Sequence, residues 1–244
     1  MNRASLAPGS TALVIGAGTV GLLTAAVARK SGCTDVTIID VDAGRVNYAI
    51  TKGFATHGYI VPKPLHTSPS SSSISTPTCS GTSSPSGIMT PMSSHSPLTD
   101  RLEAAKSLAG DILAISAPSH ASDEDEDTGV DTAFECTGKE ICMQTALYAT
   151  RPGGKVIMVG MGTPIQTLPL SAAHLREVDI LGIFRYANTY ATGIRLISTG
   201  CLPSLDDMVT HRFKGLESAK KAFELAGRTA DDEGRLVLKV VIDA

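Results

Sequence analysis

The chain has 244 residues, of which 42% are hydrophobic and 18% charged, a composition that supports a sizeable globular core. A formal net charge of -3 argues against a nucleic-acid binder, which needs a basic face, and no apolar run approaches the ~18–20 residues of a membrane crossing. The opening residues MNRASLAPGS lack the apolar stretch of a signal peptide and the five cysteines are scattered without a CxxC pair, so a cytoplasmic protein without a disulfide framework is expected.

From the N-terminus the pattern predicts a short buried strand over residues 12–15 and a helix with a broad apolar face over 20–30. A β-branched strand over 36–39 ends in Asp40, and a second helix follows over 44–52. That strand–helix–strand–helix order implies a parallel sheet with right-handed crossovers. From Pro62 the texture changes to Ser, Thr and Pro, and such a segment buries too little apolar surface to offset its ordering entropy of ~1–2 kcal/mol per residue; disorder is expected. Five Ser-Pro or Thr-Pro dipeptides, beginning at Ser68, Thr76, Ser84, Thr90 and Ser96, would suit proline-directed phosphorylation, or the tract is an unregulated insertion.

A helix is expected to resume at Asp100, followed by an acidic loop over 123–127. Beyond it the pattern predicts a strand over 130–134, a helix over 140–149, a turn at Arg-Pro-Gly-Gly over 151–154 and a strand over 155–159. Then come a strand over 179–184, a helix over 190–198, an amphipathic helix over 215–227 and a terminal strand over 235–242. The expected organisation is α/β, a Rossmann doubly wound parallel sheet with helices on both faces. Residues 1–61 form its first half, 62–99 the Ser-rich insertion, and 100–244 its second half with a C-terminal helix and strand.

The segment LVIGAGTVG contains GxGxxG directly after a predicted strand and at the opening of a helix, the context that a dinucleotide fingerprint requires. Gly16 would make the tight turn, Gly18 would admit the pyrophosphate against the backbone, and Gly21 would allow close helix–strand packing. The phosphates would then face the free N–H groups and the positive end of the helix. Asp40, closing the next strand, supplies the carboxylate that accepts both ribose hydroxyls and repels a 2′-phosphate, and Asp42 adds to that charge; NAD is favoured over NADP. Arg45 is placed to stack on adenine, and alone it would admit NADP.

Three further segments occur in order: FECTG from Phe134, RPGGKVIMVGMG from Arg151 and GIFRYANTY from Gly182. Together they resemble the medium-chain, zinc-dependent polyol dehydrogenases (sorbitol, xylitol and arabinitol dehydrogenases, the fungal type in particular). The resemblance implies that Val20, Asp40 and Arg45 touch the adenosine and pyrophosphate side. Val159, Gly160 and Met161, with Ile183, Phe184 and Arg185, would line the nicotinamide side, and Arg185 and Tyr186 would meet a polyol. It also implies oxidoreductase activity on a small sugar alcohol and self-pairing through a sheet edge.

In that family a domain holding zinc through Cys, His and Glu precedes the dinucleotide fold, and the metal lowers the pKa of the substrate hydroxyl. Met1 here falls just before the first strand. The histidines at 57, 66, 95, 120, 174 and 211 are dispersed, with His174 and His211 reading as cap or strand residues. The chain is therefore expected to carry the cofactor half without the zinc ligands, no catalytic residue is assigned, and turnover by the chain alone is not expected. A non-catalytic NAD-binding or interaction module is the alternative. A zinc-independent reductase is a weaker option, which FRYANTY speaks against.

Overall fold

The computed structural model describes residues 2–62, 97–116, 128–186 and 188–243. Six strands form one parallel sheet: β1 (Thr11–Ile15), β2 (Asp35–Asp40), β3 (His57–Ile60), β4 (Val130–Glu135), β5 (Thr150–Met158) and β6 (Asp179–Gly182). Their spatial order is β3-β2-β1-β4-β5-β6. The order reverses between β1 and β4, so the loops leaving these two strands diverge and open a crevice at the carboxyl ends.

Alternation along the strands sorts the core into two layers. Val14, Ile38, Phe134 and Ile157, neighbours across the sheet, face α1 (Thr19–Lys30) and α2 (Ala43–Thr51) through Leu22, Ala25 and Ala49. On the other side Leu13, Ile15, Ile39, Ala133 and Val156 meet α3 (Pro97–Ser116), α4 (Glu140–Ala149) and α5 (Leu170–His174). Central parallel strands are buried on both faces, which is why they read as continuous apolar runs.

The doubly wound sheet agrees with the sequence reading; several boundaries do not. Helix α3 begins at Pro97, inside the span assigned to the insertion, because proline lacks only an N–H that the first helical turn leaves unpaired anyway. It also runs through Gly110 to Ser116, carried by buried Ala109 and Ile112. Arg-Pro-Gly-Gly is absorbed into β5 instead of preceding it: Val130 pairs with Thr150 and Thr132 with Lys155, so the intervening residues bulge, with Gly153 at φ 69°. β6 stops at Gly182, two residues early. The Ser-rich tract from 63 to 96 and the acidic run over 123–127 lie outside the described residues, as do His66, His95 and His120.

After α6 (Tyr190–Ser198), the chain builds a second, two-stranded parallel sheet from β7 (Val209–Lys214) and β8 (Lys239–Asp243), linked through α7 (Ala219–Ala226). The expected single terminal strand over 235–242 thus becomes the later half of that span plus a lead-in that packs elsewhere. His211 lies in β7 and meets Asp231 at 3.1 Å, while His174 ends α5 with Nδ1 3.1 Å from the Leu170 carbonyl.

Candidate functional site

The loop from β1 to α1 is built on glycine for steric reasons that differ at each position. Gly16 sits at φ 103°, a left-handed conformation, and a Cβ there would lie 2.9 Å from Thr137 Cγ2. At Gly21 a Cβ would fall 1.8 Å from the Gly16 carbonyl oxygen, so helix and loop touch backbone to backbone. Around Gly18 a Cβ would meet nothing within 4 Å, which leaves its approach open from the crevice. Gly18 is the N-cap of α1 and carries no side chain to satisfy the first-turn amides; that turn holds no acid, whereas Arg29 and Lys30 close the helix. Unsatisfied donors and a positive helix end therefore face open space.

Asp40 ends β2 beside this loop. Its Oδ2 accepts the Ala17 amide at 2.7 Å and its Oδ1 the Asp42 amide at 3.0 Å, leaving further lone pairs on each oxygen. Asp42 caps α2 through the Arg45 amide at 3.0 Å, a structural use that the sequence did not separate from its charge. Arg45 reaches the Val237 carbonyl with Nη2 at 3.3 Å, and its buried Nε has no partner. The lead-in to β8 also touches the start of α1, where Thr19 donates to the Leu238 carbonyl at 3.1 Å. Nothing in the local pattern around LVLKVV announced that contact, because it joins residues 219 positions apart.

At the carboxyl ends of β4 and β5, residues 136–138 and 159–162 form two interlocked loops. Val159 and Gly160 both donate to the Glu135 carbonyl at 2.8 Å, and Cys136 donates to Ile15 at 2.9 Å, joining this wall to the glycine loop. Glu135 is 3% exposed; its carboxylate accepts Thr137 N at 2.7 Å, the Thr137 hydroxyl, and Gly138 N at 3.0 Å from both oxygens. Glu135 lies within FECTG, where motif spacing alone assigns it no role, although an acid closing a buried strand is itself a signal. Met161 is exposed, as are Val20 in the first turn of α1 and Ile183, Phe184 and Tyr186 in the segment after β6. Arg185 adopts φ 52° and lays its guanidinium 5.1 Å from the Phe184 ring, while Tyr186 packs edge-on against Tyr190 at 4.7 Å.

Among the described residues, no three His, Cys, Asp or Glu side chains are grouped to hold a metal ion. The described part of the chain does not fit a zinc centre. No helix there is long and apolar enough to cross a membrane.

A parallel sheet reversing between β1 and β4, with a glycine turn feeding an uncapped helix, defines a Rossmann dinucleotide-binding fold. The family profile of zinc-binding dehydrogenases matches residues 94–199. Rat sorbitol dehydrogenase is 33% identical over 92% of this chain and 48% of its own length; L-idonate 5-dehydrogenase of grapevine (Vitis vinifera) is 30% identical over 93% and 49%. A Sinorhizobium meliloti protein of the zinc-binding dehydrogenase type, solved with NADP bound, superposes with a TM-score of 0.65 at 22% identity, over 99% of this chain and 55% of that one. Over these segments the chain is similar to the zinc-binding dehydrogenases, and it spans about half the length of the curated relatives it matches.

Proposed function

We propose that this chain binds NAD across the β1/β4 crevice and forms the cofactor-holding part of a polyol dehydrogenase, which moves hydride between a sugar alcohol and the nicotinamide. The observation that carries this reading is the open approach to Gly18 at the uncapped start of α1, with the Asp40 carboxylate one strand away. The fit to a dinucleotide is direct: phosphate charge meets first-turn amides, and ribose hydroxyls meet the remaining lone pairs of Asp40. A 2′-phosphate would stand against Asp40 and Asp42 together, which favours NAD over NADP.

In this mechanism the bound nicotinamide supplies the hydride acceptor. The chain's own residues bind and orient. Gly16, Gly18 and Gly21 shape the pyrophosphate seat, Val20 packs over it, and Arg45 borders the adenosine side. Val159, Gly160 and Met161, with Ile183 and Phe184, offer apolar surface that excludes water from the reacting ring. Arg185, with five donors, and Tyr186 suit a polyhydroxylated substrate. No described residue is assigned the substrate proton. The edge of β6 is further read as a surface for pairing with a second copy, which light scattering checks through the mass of the particle.

Titration with NADH, followed by fluorescence or heat, tests the reading: saturable binding that is weaker for NADPH is expected, and a folded preparation that binds neither overturns it. The second reading is a dinucleotide-binding module without turnover. Metal analysis beside a polyol oxidation assay separates the two. Zinc with turnover supports the dehydrogenase, and metal-free binding without turnover supports the module.

A further inference from the structure

The loop facing the crevice from β4 is held by one buried carboxylate, and the loop from β5 bonds to the backbone carbonyls of Glu135 and Gly138 beside it. Three donors converge on Glu135 Oε1, from the Thr137 amide, the Thr137 hydroxyl and the Gly138 amide, and the Gly138 amide also reaches Oε2 at 3.0 Å. The adjoining glycines leave no slack. A Cβ on Gly160 would lie 2.1 Å from Gly138 N and 2.8 Å from Glu135 Oε2, and one on Gly162 would lie 2.2 Å from the Gly138 carbonyl oxygen. Gly138 itself sits at φ 76°, and its carbonyl accepts the Thr163 amide at 3.2 Å. Every group meeting the carboxylate here is a donor, so the side chain acts purely as an acceptor, and bonds to an ionised acceptor are roughly twice as strong as neutral ones.

The placement gives this cluster a function beyond local order. A dinucleotide lies across the switch point with one nucleotide on each side. Asp40 and the start of α2 occupy the β2 side, so the second nucleotide falls to the β4–β5 side, against residues 136–138 and 159–162. We infer that Glu135 is a positioning residue for the nicotinamide half: it fixes the loop 136–138 and, through Gly138, the loop 159–162, against which the reacting ring rests. This rests on the dinucleotide reading above. Glu135 does not touch the cofactor in this role. Its effect passes through Thr137, Gly138 and Gly160.

The test compares NADH with ADP-ribose, which keeps the adenosine and pyrophosphate but lacks the nicotinamide ring. In Glu135→Gln one carboxylate oxygen becomes an amide donor facing the Gly138 N–H. The expected result is ADP-ribose affinity within about twofold of wild type and NADH affinity lower by about tenfold. Thr137→Val removes one donor from the same carboxylate at nearly constant volume, should shift the same ratio in the same direction, and carries the test if the first variant does not fold. Equal weakening of both ligands means a general structural role and overturns the inference, as does an unchanged ratio in both variants. Wild-type protein that fails to bind ADP-ribose would instead overturn the dinucleotide reading, and the inference with it.

Discussion

The Ala17 amide donates to Asp40 Oδ2 at 2.7 Å, so the glycine turn after β1 and the carboxylate that ends β2 are one hydrogen-bonded unit. Asp40 therefore has two tasks: it braces the turn from one side and presents acceptors to a ribose from the other. Asp40→Asn can keep one of its two amide bonds but loses the charge that opposes a 2′-phosphate. NADH affinity should fall by about tenfold, the order expected for a lost charged hydrogen bond, while NADPH affinity falls less or rises. Parallel fluorescence titrations with both cofactors check this, and a preserved NADH to NADPH ratio would contradict it.

Two glycines in the same loop should respond oppositely to one methyl group. Gly18→Ala places its Cβ in open space at φ -74°, so the fold should keep its melting temperature while dinucleotide affinity drops by about tenfold or more. Gly21→Ala drives its Cβ to 1.8 Å from the Gly16 oxygen, and overpacking of this kind costs about 1–3 kcal/mol. Its melting temperature should fall by several degrees. Thermal denaturation and binding on both variants decide the matter. Loss of stability at Gly18, or none at Gly21, would contradict the assignment.

The parts legible in the sequence are those governed by local rules. A buried apolar strand, a glycine turn and a helix with a long apolar face gave β1 and α1 to within a residue, and α4 and α6 begin and end where their periodicity does. What stayed hidden depends on distant partners. Arg-Pro-Gly-Gly reads as a turn, yet Asp131 and Arg151 draw it into β5. The half-exposed β7 lacks clean alternation, since its pairing with β8 comes from a segment about thirty residues on. The donors that surround Glu135 belong to the turn directly after it, but only the tertiary approach of residues 159–162 shows what that turn supports.

Thiol reactivity offers a check on the fold away from the crevice. Burial raises the Cys33 and Cys142 thiols, and burial together with the Glu135 charge pushes Cys136 up to about 12. Cys201 is exposed, and the neighbouring Thr199 hydroxyl and Lys30 ammonium hold its thiol below the ordinary value. Of these four, iodoacetamide at neutral pH should therefore alkylate Cys201 first in the native protein. Peptide mapping after brief exposure reads the order, and labelling of Cys136 or Cys142 ahead of Cys201 would mean that the β4 end is not closed as described.

Asp131 gives the stability of the sheet a defined acid limb. Its Oδ2 accepts the Thr11 amide at 2.7 Å and the Thr11 hydroxyl at 2.9 Å, and its Oδ1 accepts Arg151 Nε at 2.8 Å, so one carboxylate ties the start of β1 to the bulge of β5. Burial alone would raise its pKa, but the Thr11 donors and the Arg151 guanidinium outweigh that and hold it below the ordinary carboxylate value. A group depressed in the folded state contributes stability that is complete above its unfolded pKa of about 3.9 and is lost as pH falls through the folded value. Asp131→Asn should thus be less stable at pH 7 by about 1–3 kcal/mol, the usual cost of breaking charged hydrogen bonds. Below about pH 4 the wild type should lose stability faster than the variant, and the two melting curves should converge. Calorimetry between about pH 2.5 and 7 measures this, and a gap that stays constant across that range would show that the carboxylate's charge contributes nothing at the junction.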